Sequence, residues 1–496
     1  MTRINGLPDD TTIPAVPTPF FVAAPSLTAP TDLSLDRLGL SAATFVLGNA
    51  GSTGSTTPYA DAHSSIGERA DLARAASGMT GAGVKIGILS DSFNLHRGMA
   101  ADVVAGNLPA GTVIQSEGTS GADEGRAMAQ LIHQVAPGAA MVFHTATRSE
   151  ADFAKGIADL HAAGCTVIVD DVAYLDEPFF QAGGSVGAAV TAAVAVGSSY
   201  FTAASNQGRN FEQEAFRGVK AKLPGLPGQW LAAKFGGQAF TTLTIPQSGT
   251  AMIDLQWDQP YASIGAGHGS ANSLAIALYT STGQLVGVAG GYDVGRDPRQ
   301  ILSFHNTLAT SSFRAVVFSN SVKPPPDLFK LIVYGNATLT DAGAGTGSGS
   351  VIGHELAAGA NTVGAVAWNN TPAFGGTGTP ESFSSVGTGQ IMFDASGNRL
   401  PDSQSANKVS FLAPDGSMTS VLAPFYGTSA AAPNAAGVAA LMLQADPNLS
   451  PAQVSAILAQ TAAPVAGGFG AVGAGLIRAD AAVAMAQAMV GHSSVG

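Results

Sequence analysis

The stretch FYGTSAAAPNAAGVAALMLQ, residues 425–444, decides how the rest of the chain is read. From Ala430 onward it is almost wholly small and apolar, so a helix here must be a core helix packed closely on its neighbours. Gly427 gives the backbone freedom just before Ser429, which then sits at the helix N-terminus. Unpaired N–H groups and the helix dipole favour negative charge at that point. A hydroxyl nucleophile for acyl transfer needs such a setting, because its tetrahedral intermediate carries an oxyanion. Taken alone, the same serine is explained as an ordinary N-cap.

A core helix needs layers to pack on, and the residues upstream supply them. VKIGILS (84–90), AMVFHTA (140–146), TVIVD (166–170) and SYFTAAS (199–205) read as buried strands. Between them DEGRAMAQLIHQV (123–135), SEADFAKGIADLHAAG (149–164) and 183–197 read as helices, with Ser149 an N-cap. Continuous apolar strands separated by helices predict an α/β fold, a parallel sheet covered on both faces. From about 210 to 340 the period becomes two. AMIDLQWD (251–258), SLAIALY (273–279), QLVGVAGG (284–291), FRAVVFS (313–319) and LFKLIVYG (328–335) predict an antiparallel β-sandwich inserted into that domain, with STGQ (281–284) a hairpin turn. The α/β pattern resumes at NTVGAVA (361–367) and closes with helices near 429–444 and 451–460, the second capped by Ser450 ahead of a proline.

The expected division is therefore a Pro-, Ser- and Gly-rich arm or pro-segment remnant over 1–60 and a first α/β part over 61–208. The β-insert follows over 209–345, then a second α/β part over 346–480 and a tail over 481–496. Only 11% of the 496 residues are charged, and the formal net charge is −12. An acidic, charge-poor surface is a poor match for a phosphate backbone, so no nucleic-acid partner is expected. The single cysteine, Cys165, excludes a disulfide framework and a Cys-rich metal site. Prolines and Asp9–Asp10 interrupt the first thirty residues, so they do not read as a secretory signal, and apolar runs are too short to span a bilayer.

On these residues the chain resembles the subtilisin-like serine peptidases. GTSAAAP (427–433) is similar to their nucleophile motif at every position, IGILSDSF (86–93) to the segment carrying the catalytic Asp, and TAASNQG (202–208) to the segment carrying the oxyanion-hole Asn. SFSSVG (382–387) and VSFLAPDG (409–416) resemble two further framework stretches. The resemblance implies Ser429 as nucleophile, Asp91 as the catalytic aspartate, Asn206 in the oxyanion hole, a polypeptide substrate, a monomer, and an extracellular location. No cofactor is identified in the sequence; structural calcium has no supporting motif, since FDASGNR (393–399) reads as a hairpin turn.

One departure matters. Where the family opens its second motif with His-Gly, this chain has Glu124-Gly125 in GADEGRAMAQLIHQVAPG (121–138), anchored by VAPGA (135–139). His133 lies nine residues on, about 900° of rotation and roughly 13.5 Å of rise away, so it cannot reach the same point. His96 is a less excluded substitute. A carboxylate beside a serine nucleophile resembles the sedolisins, which use Glu in this role. The match is partial, because their Asp four residues later is Met128 here, and they have Asp where this chain has Asn206. The reading is a Ser429–Glu124–Asp91 site in which two close carboxyls cannot both ionise cheaply, so one pKa rises while the other stays low, Asp91 holds the shared proton, and mildly acidic pH is favoured. Asp170 and Asp171, at the end of a buried strand, are further cleft candidates. The alternatives are a catalytically inactive relative that binds a partner through its β-insert, and an esterase. Against the esterase, no G-x-S-x-G elbow with a later His surrounds Ser429.

Overall fold

A computed structural model describes residues 62–493, apart from 266, 322, 344–347 and 407. Its centre is a seven-stranded parallel sheet. From one edge to the other the strands are Val113–Ser116, Ala140–Thr145, Lys85–Ser90, Val167–Asp170, Ser199–Ala203, Ala360–Ala367 and Phe411–Asp415. All of their pairings are parallel. Alternation along each strand sorts side chains between two apolar layers. Ile86, Ile88, Val167, Val169 and Phe201 face one layer with the helices Glu124–Val135, Thr428–Ala445 and Ala479–Ser493. Leu89, Ile168 and Tyr200 face the other, with the helices Glu150–Ala162 and Ser185–Ala195. The α/β expectation holds.

Two antiparallel sheets lie between Ser199–Ala203 and Ala360–Ala367 in the chain. One runs Arg299–His305, Thr250–Trp257, Leu328–Gly335, Phe211–Ala215, and the other is built around Leu274–Thr280 and Ser312–Ser319. They share a core in which Ile253, Leu255, Leu331 and Val333 of the first meet Ile276, Leu278, Phe313 and Val317 of the second. Trp257 is fully buried here and donates to Ser270 Oγ at 2.9 Å. The turn at 281–284 joins two paired strands as read. Asp394 stays in a hairpin turn, accepting from the N–H groups of Ser396 and Asn398.

The arm expected over 1–60 lies outside the described residues. At the other end the chain is helical over Ala479–Ser493, where a tail from 481 is expected from the sequence. Its apolar residues Ala482, Val483 and Ala486 are buried in the core, which is why the helix continues.

The 18-residue helix Thr428–Ala445 is the core helix that its composition demands, buried from Thr428 to Leu443. At Gly437 it crosses the Glu124 helix so closely that a Cβ there would lie 2.7 Å from Val135 Cβ. That close crossing sets where the two helix N-termini, and so Glu124 and Ser429, stand relative to each other.

Candidate active site

The site gathers at the carboxyl ends of the parallel strands, where an open α/β sheet leaves room for function. Asp91 follows Lys85–Ser90 directly and is 3% exposed. Its Oδ2 accepts from the Ala122 N–H at 2.6 Å and its Oδ1 from the Glu124 N–H at 2.9 Å and from the Ser92 N–H. Burial raises its pKa even though these three N–H groups pull it down. Asp91 thus clamps the start of the Glu124 helix through its backbone. Asp123, in the left-handed region at φ 61°, ties the same corner to the loop after Asp91 by accepting from Leu95 N, His96 N and the Arg126 guanidinium.

Glu124 is the first residue of its helix and only 1% exposed. Its carboxyl faces the Ser429 hydroxyl and the Asp171 carboxyl, close enough for both to act on its pKa. Among the described residues no donor satisfies Glu124 Oε1 or Asp171 Oδ2. Two acids can hydrogen-bond to each other only when one of them keeps its proton. Burial, then the charges of Asp171 and Asp91, raise Glu124 well above the ordinary carboxylate range. Burial and the Asp91 charge do the same to Asp171.

Ser429 is 4% exposed, one residue into its helix. Gly427 before it has φ 121°, a conformation that L side chains rarely adopt, and its N–H donates to Asp415 Oδ2 at 2.8 Å. Asn206 stands beside it. Its Oδ1 accepts from both the N–H and the hydroxyl of Thr428, each at 3.0 Å, which leaves the Nδ2 group as the donating end of the amide. Ser205, left-handed at φ 65°, turns the chain into that position while its hydroxyl donates to Glu355.

The structure therefore brings together Asp91, Glu124, Asp171, Asn206 and Ser429. Asp170 does not join them, a correction to its reading as a cleft residue. Strand alternation turns it to the other face with Ile168, where its Oδ1 accepts from His354 Nε2 at 3.2 Å and Thr202 Oγ1 at 3.0 Å. His354 Nδ1 donates to Glu177 at 2.8 Å. Burial alone would lower the His354 pKa, but the Glu177 and Asp170 charges raise it well above the usual imidazole value. His96 is exposed and donates from Nε2 to the Gly121 carbonyl oxygen, and His133 is half-buried, with burial lowering its pKa. Sequence reasoning misses His354, Glu177 and Glu355, which lie in no motif. It also passes over Asp415, although VSFLAPDG contains it. Among the described residues there is no cluster of metal-ligating side chains, and no helix is long and apolar enough to cross a membrane.

Residues 104–492 match the model of the subtilase family. No curated protein sequence matches the chain. Of solved structures, the CspB protease of Clostridium perfringens aligns over 85% of this chain and 98% of its own, at 12% identity and a TM-score of 0.54. MycP1 from Mycobacterium smegmatis aligns over 85% and 84%, at 15% identity and a TM-score of 0.38. The chain belongs to the subtilase family, whose class is that of the serine peptidases.

Proposed function

We propose that this chain is a serine endopeptidase in which Glu124, rather than a histidine, moves the proton. The observation that carries the reading is the buried Glu124 carboxyl, whose pKa responds to both the Ser429 hydroxyl and the Asp171 carboxyl, with those two residues lining one cavity. The two acids share one proton, and the reactive form of the pair has Glu124 as the carboxylate and Asp171 as the acid. Ser429 Oγ attacks the peptide carbonyl carbon as its proton passes to Glu124. The oxyanion takes hydrogen bonds from Asn206 Nδ2 and the first-turn N–H groups of the helix. Collapse breaks the C–N bond, and the leaving amine takes the proton from Glu124. Water then attacks the ester, giving its proton to Glu124, which returns it to Ser429 as the acid product leaves.

Asp91 holds Glu124 by the backbone, and its charge adds to the upward push on Glu124's pKa. A base whose pKa approaches the working pH combines the right protonation state with adequate driving force. The acid limb then reports the first ionisation of the Glu124–Asp171 pair and the alkaline limb the second. The test is hydrolysis of unfolded casein from pH 3 to 9, beside Ser429→Ala. Cleavage by the wild type alone, strongest on the acid side of neutrality, is expected. No cleavage at any pH, or cleavage confined to alkaline pH, overturns the reading.

A further inference from the structure

A peptide whose carbonyl carbon meets Ser429 and whose oxygen meets Asn206 must place the side chain next to that carbonyl in a cavity bordering both residues. Such a cavity exists. Ser429, Asn206 and Asp171 of the site line it together with Leu175, Tyr334 and Ile352. Its volume is about 20 Å³. A cavity needs roughly 10–15 Å³ on this measure to hold one water, so the space admits a methyl-sized group and little more.

Tyr334 belongs to the antiparallel insert, in the strand Leu328–Gly335. Period two explains its place. Leu331 and Val333 point into the insert's own core, while Ile332 and Tyr334 point out of it. There they pack with Met252 of the neighbouring strand against Leu175, Phe180 and Ile352 of the peptidase. Tyr334 is 5% exposed and stands in register with Met252. Paired with Met252 and packed in this apolar seam, the ring cannot swing aside without opening it.

We propose that the insert is a specificity element. Through Tyr334, with Ile352, it floors the pocket beside Ser429 and restricts cleavage to bonds that follow a small residue of the glycine, alanine or serine class. This rests on the serine-peptidase reading above. The test compares two peptides differing only in Ala or Phe before the cleaved bond. The wild type should favour Ala at least 100-fold in kcat/KM. Tyr334→Ala and Ile352→Ala, checked by thermal melts, should each narrow that ratio tenfold or more by improving the Phe peptide. Equal cleavage of both peptides by the wild type, or wild-type ratios in folded variants, overturns it. Calorimetric binding of the same peptides to Ser429→Ala separates the two readings. A preference for the Ala peptide, lost in Ser429→Ala/Tyr334→Ala, supports the pocket even if the wild type cleaves nothing. Equal binding, or none, overturns it.

Discussion

Asp170 and Asp171 are neighbours in sequence and end on opposite faces of one sheet. Asp170 joins Glu177 around His354, a buried cluster in which a cation satisfies two acids. Asp171 joins Glu124 and Asp91, where the main charges acting on the pair are negative. The first arrangement holds the fold together, because one cation bridges two acids and offsets part of their charge. The second is costly to keep ionised, and such a cluster persists where its protons are used. One step of strand alternation separates scaffold from chemistry.

The sharpest way to break this contrast is Glu124→Gln, which keeps the shape and removes the base. It should lower kcat by 10³–10⁴-fold, about 4–5.5 kcal/mol of barrier, measured with a peptide substrate. The same change should stabilise the protein. An acid whose folded pKa is raised loses stability as pH rises above its unfolded value, so the variant's advantage in urea midpoint should be absent near pH 4 and grow towards pH 7.

On the scaffold side, His354→Gln leaves two buried acids without their cation and should cost about 3–5 kcal/mol in urea unfolding. The sign of its pH dependence is opposite. His354 has a raised folded pKa, so its contribution is complete below its unfolded value near 6.5 and is lost as pH rises through the folded one. The gap between wild type and variant should therefore close at alkaline pH. Asn206→Ala should reduce kcat by about 10²–10³-fold with little change in KM. The smallest effect belongs to Asp171→Asn, whose amide donates to Glu124 permanently. It should keep most of the activity near the optimum and flatten the alkaline limb of the pH–rate profile.

The fold was legible because the strands of the central sheet are unbroken apolar runs and the Ser429 helix has a composition that only a core tolerates. The edge strand Val113–Ser116 was not legible. It is half exposed and only four residues long, so it offers no periodic signal. Of the residues gathered at the candidate site, Ser429, Asn206, Asp91 and Glu124 stand out in the sequence because each sits in a motif at a strand end or helix start. The roles of Asp170 and Asp171 could not be separated from sequence, since both close the same apolar run and only the pleat decides which faces the serine. His354 and Glu177 pair across 177 positions, a distance over which no local pattern speaks.

The account turns on whether an acid takes the serine's proton. Single-turnover acylation by an activated peptide ester, followed from pH 4 to 9, reads that step without product release. The account predicts a wild-type rate that falls on an acid limb above the ordinary Glu value of about 4.3, and a low, flat rate for Glu124→Gln. Acylation of Glu124→Gln at the wild-type rate, with the same pH profile, would contradict it.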